Sequence, residues 1–277
     1  MLRNRIKTFL NENGTIVTHD GWQVHLYGNN ENNNNYWKDN LHGLSKYVHN
    51  PANIIKQDHR SFVAAFEYDS TKYVIKKFTL QNTWFWFRWT SIFFESLGEI
   101  AYRNSIMMQE EGMLTAEPVM LWQKTSKFSV YHSWMLYKYL DGKPMNSSDS
   151  SEIVEFVKKM HSKGWLHRDP HPSNFLRTSK GVATIDPIRV KKSTNRYLRA
   201  CDLLHMIRDM PSAYDVYGGD EIKYWLKLAR YFHNHLRLYR AIKHKLRTIV
   251  GYKPHKISLG NITNSGSALK EGVRKND

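Results

Sequence analysis

The sequence predicts an α+β fold of two lobes, in which a small antiparallel sheet precedes a mainly helical part. Strand-like stretches separated by short polar turns occupy residues 53–78, which is the pattern of an antiparallel meander. After residue 149 the apolar positions recur at three- and four-residue steps, as they do on the buried face of a helix. The change of period along the chain therefore indicates two lobes of different kinds.

The chain is expected to divide into four parts. Residues 1–50 form an N-terminal extension with an Asn-rich loop at 29–35, because this tract has little apolar content to bury. Residues 51–140 form the lobe that holds the sheet, and residues 141–250 form the helical lobe. Residues 251–277 lose periodicity, gain Gly, Ser and Asn, and are expected to be a flexible polar tail.

Within the first lobe a helix is expected over 95–111, with Gly112 as the residue that ends it. In the second lobe Asp149 and Glu152 resemble a capping box at the start of a helix. The longest helix is predicted over 221–250, where an apolar stripe is accompanied by a basic face. Strands of the first lobe are expected at 53–56, 62–68, 73–78 and 134–140.

Composition excludes several classes of protein. The content of 41% hydrophobic and 24% charged residues is ordinary for a folded chain, and no run of about 20 apolar residues is present. The N-terminus lacks the apolar run of a signal peptide, so a cytoplasmic, non-spanning protein is expected. Cys201 is the single cysteine, which excludes an intramolecular disulfide and indicates a reducing compartment.

The net charge of +16 predicts an anionic partner, such as a nucleotide, a nucleic acid, a phosphorylated glycan or an anionic lipid surface. No acidic residue occurs between Ile222 and Lys270, so the last helix is expected to carry a basic stripe that binds an anionic leaflet. The stripe consists of Lys223, Lys227, Arg230, Arg237, Arg240, Lys243, Lys245, Arg247, Lys253 and Lys256.

Residues 84–89 are almost wholly aromatic, and Phe93 and Phe94 follow them. Such a run suits a membrane interface at the level of the lipid headgroups, although it is too short to span. Packing between the two lobes is an equally good explanation. The sequence leaves both open.

The chemistry is carried by His167-Arg168-Asp169, by Asn174 five residues after the aspartate, and by Asp186 at the end of a short hairpin. Phosphoryl transfer needs a carboxylate that accepts the proton of the attacking hydroxyl, and oxygen ligands that hold Mg²⁺ against the phosphates of ATP. Asp169 is the expected base, and Asn174 and Asp186 are the expected metal ligands. The spacing predicts a protein-kinase-like fold that uses ATP and Mg²⁺.

Such a fold also needs a lysine on the third strand of the meander, held by a helix carboxylate. Lys76 is the candidate for phosphate contact, and Glu99 is its expected partner, with Glu95 as the second choice. The turn at 57–61 has no glycine, so only its backbone amides, with Arg60 or Ser61, remain to cover phosphate. The A-P-E signature of protein kinases is absent too, which favours a small-molecule or glycan acceptor.

The segments 169–175 and 181–186, followed by Lys191-Lys192 and combined with Glu99, resemble the lipopolysaccharide core heptose kinase family, in the branch that phosphorylates the second heptose of the inner core. The resemblance covers roughly residues 50 to 250. It implies a protein-kinase-like fold, ATP with Mg²⁺, and a lipopolysaccharide core glycolipid as acceptor. It also implies peripheral action at the cytoplasmic face of the inner membrane. Asp186-Pro187-Ile188-Arg189 departs from the family, which usually has small residues and a glycine after this aspartate.

Three other functions were weighed against this one. An aminoglycoside-type kinase would share the motif, but a charge of +16 argues against a cationic substrate. A nucleic-acid-binding module would use the same charge and aromatics and leave the Asp169, Asn174 and Asp186 set unexplained. A pseudokinase would keep the fold without turnover. We therefore expect an active kinase with no nucleic-acid partner and no stable protein partner.

Overall fold

The computed structural model describes residues 14–27, 31–80, 85–126 and 129–249. The predicted tail at 251–277 lies outside the described residues. The strands are β1 Gly14–His19, β2 Trp22–Tyr27, β3 Asn53–Gln57, β4 Phe62–Tyr68, β5 Thr71–Lys77, β6 Pro118–Thr125, β7 Val130–Lys138, β8 Lys143–Pro144, β9 Trp165–Leu166, β10 Phe175–Thr178, β11 Gly181–Thr184 and β12 Lys191–Lys192. The helices are α1 Glu31–His49, α2 Phe85–Thr90, α3 Leu97–Glu110, α4 Ser150–Ser162, α5 Arg196–Asp209, α6 Ala213–Tyr217 and α7 Asp220–Ile249.

The first lobe is built on a seven-stranded antiparallel sheet with the strand order β1-β2-β6-β7-β5-β4-β3. The predicted meander is confirmed as β3, β4 and β5, each antiparallel to the next. β1 and β2 extend this same sheet, because Val24 and His25 of β2 pair with Trp122 and Leu121 of β6. A mainly helical part follows from residue 150 onward, so the α+β fold of two lobes is confirmed.

The prediction of a loop over the Asn-rich tract is wrong for its described part, because α1 begins at Glu31 and runs through it. Asparagine favours helices weakly, but a buried apolar stripe on this helix supplies the stabilisation that the asparagines lack. Asn34 is itself buried, and its Nδ2 donates to Thr15 Oγ1 at 3.2 Å. The stripe that packs on the sheet consists of Trp37, Leu41, Leu44 and Val48.

The helix α3 confirms the prediction for 95–111 and ends at Gly112, whose φ is +69°. Its buried residues Ala101, Tyr102 and Ile106 pack on the sheet. The approach is close at Gly98, where an added Cβ would overlap the side chain of Ser133. This contact fixes α3 against β7, the strand that pairs with the β5 strand carrying Lys76.

The helical lobe contains α4 to α7, and α7 confirms the helix predicted over 221–250. The predicted capping box of Asp149 and Glu152 is wrong: Asp149 instead accepts the N–H of Asn146, three residues earlier, which caps a single 3₁₀ turn. Glu152 and Asp149 instead hold Arg177 of β10 in ion pairs of 2.6 and 2.8 Å. The core of this lobe includes Ile153, Val157, Met160, Trp165, Phe175, Leu203 and Met206.

The chain forms two compact units, residues 1–230 and residues 231–277. The first unit contains the sheet lobe and the helical lobe as far as Arg230 of α7. Of the second unit, the structure describes the end of α7 up to Ile249. In the part of the chain that is described, no helix combines the length and the apolar character needed to cross a membrane.

Candidate active site

A cavity of about 590 Å³ lies where the sheet, α3 and the segments around β10 and β11 meet. It brings together four residues that the motifs select: Lys76, Asp169, Asn174 and Asp186. Glu99 is not part of the lining, although Leu97 and Ile100 on either side of it are. The remaining lining residues are Lys56, Asp58, His59, Arg60, Ser61, Phe78, Leu80, Arg168, Ile188 and Arg189.

Lys76 reaches the cavity because side chains alternate along β5. It is buried, and its Nζ lies 2.9 Å from Asp186 Oδ1. Lys77 points to the other face, where its Nζ lies 4.4 Å from the ring centre of Trp134 and donates to the backbone carbonyl of His49. The strand therefore places one lysine at the site and uses the next one for packing.

Glu99 has a defined task in the structure. Its carboxylate accepts the backbone N–H of Ser96 at 2.6 Å, while Ser96 Oγ accepts the N–H of Glu99, which forms a capping box at the start of α3. Glu95, the second candidate, makes a bidentate pair with Arg103 at 2.7 and 3.0 Å. The ion pair that the structure describes for Lys76 is with Asp186.

The oxygens of Asp186 and Asn174 suit a magnesium ion. Asp186 Oδ1 is buried and has no hydrogen-bond partner among the described residues, because its contact with Lys76 is close without having hydrogen-bond angles. Asn174 donates its Nδ2 to the carbonyl of Asp169 at 2.9 Å, which leaves the amide oxygen as an acceptor. Mg²⁺ prefers oxygen ligands and usually takes only one or two from protein side chains, with phosphates and water as the rest.

No group of three or more His, Cys, Asp and Glu side chains that could hold a metal occurs among the described residues. A magnesium ion held by Asn174 and Asp186 would therefore need further oxygen ligands from outside the protein side chains.

Asp202 of α5 holds the loop that carries Asp169. The sequence motifs did not indicate this role of Asp202. Asp202 is 2% exposed, and its carboxylate accepts the backbone N–H groups of His167 at 2.7 Å and Arg168 at 2.9 Å. It also lies 3.2 Å from Nε2 of His161. The signal that could have revealed it is an acidic residue on the apolar face of a helix, next to Leu203 and one turn before Met206.

The same loop is tied to the β10–β11 hairpin. His167 is fully buried, and its Nε2 lies 3.0 Å from Thr184 Oγ1. Burial lowers the pKa of His167, so the ring is neutral at pH 7. The backbone carbonyl of Asn174 accepts the N–H of Ile185 at 3.0 Å. Because Ile185 directly precedes Asp186, this hydrogen bond keeps the two metal-ligand candidates, Asn174 and Asp186, close together.

The segment after Asp186 is fixed by Asn104 of α3, a second residue that the motifs did not indicate. Its Nδ2 donates to the carbonyls of Pro187 at 2.7 Å and Val190 at 2.9 Å. Between them Pro187–Arg189 forms a 3₁₀ turn with the proline in its first position. Asp186 is therefore followed by a rigid turn where the family usually has a glycine.

Asp169 stands at the mouth of the cavity, with its side chain 45% exposed. The guanidinium of Arg189, also exposed, lies 3.6 Å from its carboxylate. A basic group at this position can contact an anionic or hydroxyl-bearing acceptor next to the expected base. The sequence motifs did not indicate a role for Arg189.

The turn between β3 and β4 lines the cavity, but two of its backbone N–H groups are already hydrogen-bonded within the turn. Asp58 Oδ1 accepts the N–H groups of Arg60 at 2.8 Å and Ser61 at 2.7 Å. Partial desolvation opposes ionisation of Asp58, yet the hydrogen bonds from Ser61 and Arg60 and the charge of Lys56 lower its pKa to about 2. The expectation that these two amides cover phosphate is wrong, because a carboxylate in the turn already occupies them. The side chains of Arg60 and Ser61 still line the cavity.

The aromatic run forms an exposed patch on and after α2. Trp86, Trp89, Phe93 and Phe94 are 64%, 50%, 58% and 54% exposed. Trp86 and Trp89 stack with ring centres 6.3 Å apart, and Trp89 meets Phe93 edge to face at 6.1 Å. For these four residues the alternative of packing between the lobes is excluded. The patch lies in the chain between Leu80 and Leu97, both of which line the cavity.

The model of a family described as lipopolysaccharide core biosynthesis protein (WaaY) matches residues 18–244 of the chain. A solved structure described as WaaP in complex with acyl carrier protein is similar over 83% of this chain and 99% of that chain, at 16% identity and a TM-score of 0.45. No curated protein matches the chain. The family match includes every residue that lines the cavity.

Proposed function

The chain belongs to the WaaY family of lipopolysaccharide core biosynthesis proteins, and from this premise we propose that it is an ATP-dependent kinase that phosphorylates a heptose of the lipopolysaccharide inner core. The observation that carries the proposal is the meeting of Lys76, Asp169, Asn174 and Asp186 in one cavity. Family membership indicates the pathway, and the cavity indicates the reaction.

In the proposed reaction Lys76 contacts the α and β phosphates of ATP, and Asp169 accepts the proton of the acceptor hydroxyl. The hydroxyl oxygen forms a bond to the γ phosphorus as the bond from that phosphorus to the leaving oxygen of ADP breaks. Asn174 and Asp186 would hold Mg²⁺, which neutralises charge on the phosphates when it is bound. Positioning and electrostatics supply most of the rate, because the protein forms no covalent bond.

The ion pair between Lys76 and Asp186 has a place in this scheme. Lys76 is 8% exposed, and the positive charge of Lys76 and the negative charge of Asp186 neutralise each other in the cavity. With nucleotide and metal bound, phosphate oxygens would take the place of Asp186 beside Lys76, and Asp186 would be available to hold the metal. Binding exchanges one set of partners for another and leaves no buried charge uncompensated. Glu99 remains our proposed second partner of Lys76 in the bound state.

The proposed location is the cytoplasmic surface of the inner membrane, as a peripheral protein. The patch of Trp86, Trp89, Phe93 and Phe94 supplies the exposed apolar area that a headgroup-level anchor requires. Lys223, Lys227 and Arg230 of the basic stripe are exposed on α7. The side chains of the remaining stripe residues, from Arg237 onward, lie outside the described residues.

The reaction is tested with purified protein, Mg·ATP and core glycolipid whose phosphates have been removed. We expect transfer of the γ phosphate by the wild type, and none by Asp169→Ala, which should retain nucleotide affinity because the base contacts the acceptor. Asp186→Ala should instead weaken Mg·ATP binding. Equal transfer by the wild type and Asp169→Ala would contradict the proposal.

The substrate is tested separately in cells. A strain that lacks this protein should lose the mass of one phosphate from its core oligosaccharide, and the Asp169→Ala variant should fail to restore it. An unchanged core mass would remove heptose as the substrate and leave the kinase assignment to the transfer assay.

The location is tested by sedimentation with anionic phospholipid vesicles. Trp86→Ser combined with Trp89→Ser should reduce binding by roughly tenfold or more, since each buried Trp contributes on the order of 2 kcal/mol. Raised salt should weaken the remaining electrostatic part. Ile55→Ser is the control, because Ile55 is similarly exposed at 57% on the edge strand β3. Binding unchanged by the double substitution would exclude the aromatic patch as the anchor.

A further inference from the structure

A second cavity, of about 460 Å³, opens in the helical lobe and shares no lining residue with the first. It lies beside the first turns of α5, where the chain passes from α6 to α7. Its lining consists of Arg196, Arg199, Tyr217, Gly218, Gly219, Ile222 and Trp225. All of these residues lie in the first compact unit of the chain.

The charge of this lining favours an anion. Arg196 and Arg199 are three residues apart on α5, so their guanidinium groups project from the same side of the helix. Among the residues whose side chains the structure describes, no carboxylate belongs to the lining. The Nε–H of Arg199 is buried and has no hydrogen-bond partner among the described residues, which is uncommon for a buried donor. A guanidinium binds phosphate and carboxylate groups through paired N–H bonds, so the two arginines together can hold an oxyanion.

The shape of the cavity favours a ligand that is larger than a free ion. Gly218 and Gly219 have φ angles of +63° and +91°, and a Cβ built on Gly219 would meet no atom within 4 Å, so this wall is open backbone. The opposite wall is apolar, because Ile222 and Trp225 stand one turn apart on α7. The indole of Trp225 offers a flat surface of the kind on which the C–H face of a sugar ring packs.

We propose that this cavity is a binding site for a sugar that carries a phosphate or carboxylate group, with Arg196 and Arg199 on the oxyanion and Trp225 against the ring. The inference does not require the kinase reaction, because it concerns residues outside the catalytic cavity.

The occupant would touch a wall that is connected to the catalytic loop. The hydroxyl of Tyr217, part of the lining, lies 2.7 Å from Nδ1 of His161. Nε2 of His161 lies 3.2 Å from Asp202, whose carboxylate accepts the N–H groups of His167 and Arg168. Burial raises the pKa of Tyr217 to about 12 against the opposing charge of Arg199, so the hydroxyl keeps its proton at neutral pH. A ligand that contacts Tyr217 is thus connected, through the side chains of Tyr217 and His161, to the carboxylate that orients the loop.

The test is isothermal titration of the full-length protein, free of nucleotide, with glucose 6-phosphate, glucuronate, inorganic phosphate and glucose. We expect glucose 6-phosphate or glucuronate to bind, glucose not to bind, and inorganic phosphate to bind at least tenfold more weakly. Arg196→Gln combined with Arg199→Gln should abolish binding. Arg196→Gln alone, at an exposed position, should weaken it severalfold and guards against misfolding of the double variant.

Two controls separate this cavity from other cationic surfaces. Arg230→Gln changes an exposed arginine of α7 that does not line the cavity, and it should leave the affinity unchanged. Arg189→Gln changes the catalytic cavity and should also leave it unchanged. Loss of binding in Arg189→Gln with retention in the double variant would assign the ligand to the catalytic cavity and overturn the proposal. Equal binding of inorganic phosphate would overturn the sugar component, and no binding of either anionic sugar at millimolar concentration would overturn the whole. A protein without kinase activity can still pass or fail each of these titrations.

Discussion

Arg168 has a φ of +63°, a backbone conformation that costs a non-glycine residue about 1 kcal/mol or more. Asp202 compensates this cost, because its charged oxygens accept the N–H groups of Arg168 and His167 together. The neighbouring residue, Asp169, is the proposed base. The orientation of its carboxylate therefore depends on a residue of α5 that touches no substrate.

Asp202→Asn is expected to retain one acceptor oxygen and to turn an NH₂ group toward the other backbone N–H. The buried NH₂ group of the asparagine then faces a backbone N–H, so that two donors oppose each other. The free energy of unfolding should therefore fall by about 2–4 kcal/mol. Phosphoryl transfer should fall by roughly tenfold or more, because the base is displaced. Chemical denaturation and the transfer assay measure the two effects. Asp215→Asn, on the exposed side of α6, is the matched control and should change neither quantity.

His25 makes the stability of the first lobe sensitive to acid. Burial lowers its pKa to about 4, and neither ring nitrogen has a hydrogen-bond partner among the described residues. The unfolded chain takes up a proton on this ring near pH 6.5 and the folded protein does not, so stability falls as the pH drops from about 6.5 to about 4. The shift of about 2.5 pKa units corresponds to a loss of about 3 kcal/mol.

We expect His25→Gln to flatten this acid limb. The urea midpoint measured between pH 7 and pH 4 gives the comparison, with His42→Gln on the exposed side of α1 as the control. An acid limb equally steep in His25→Gln and the wild type would show that other groups cause it.

At the scale of elements, the start of α3 carries two tasks at once. Ser96 and Glu99 cap the helix, and Ser96 Oγ also accepts a hydrogen bond from Gln123 at 2.9 Å. Glu99 is in addition our proposed partner of Lys76. A cap accounts for the stability of this helix end without any catalytic role, so substitutions must separate the two tasks.

Glu99→Gln keeps an oxygen that can accept the N–H of Ser96 and removes the negative charge. We expect the melting temperature to change little and kcat/KM to fall, because Lys76 loses a charged partner in the bound state. Ser96→Ala is the complementary variant and should cost about 1 kcal/mol of stability through the cap. If Glu99→Gln keeps full kcat/KM, Glu99 is a capping residue and nothing more.

At the scale of the whole molecule, the two lobes meet where Asn104 of α3 holds the turn after Asp186. The side chain is 1% exposed and satisfies two carbonyls, those of Pro187 and Val190. The position of Asp186 opposite Lys76 depends on this contact.

Asn104→Ala is expected to leave both carbonyls unsatisfied and to lower the free energy of unfolding by about 2–4 kcal/mol. Mg·ATP affinity, measured by titration, should fall as well, because the turn that fixes Asp186 is released. Ser105→Ala is the matched control: Ser105 is equally buried, but its hydroxyl bonds only to Ala101 of the same helix. Equal loss of nucleotide affinity in the two variants would indicate a general effect of α3 on stability.

The sequence by itself determined the features that depend on a local hydrophobic period or on the spacing of residues within one segment. The meander from β3 to β5, the helices α3 and α7, and the residues of the catalytic motif all follow from patterns a few residues long. Lys76 could be selected over Lys77 because the alternation of a strand assigns them to opposite faces. These inferences hold because the backbone geometry of a strand or helix repeats without regard to distant neighbours.

Only the tertiary structure decided the features that depend on residues distant in the chain. The Asn-rich tract is helical in its described part, from Glu31 onward, because the apolar stripe from Trp37 to Val48 packs on the sheet. Asp202 and Asn104 gained their roles from hydrogen bonds to backbone groups 34 to 86 residues away. Their side chains look ordinary in the sequence, because a buried polar group is defined by the partners that folding brings to it.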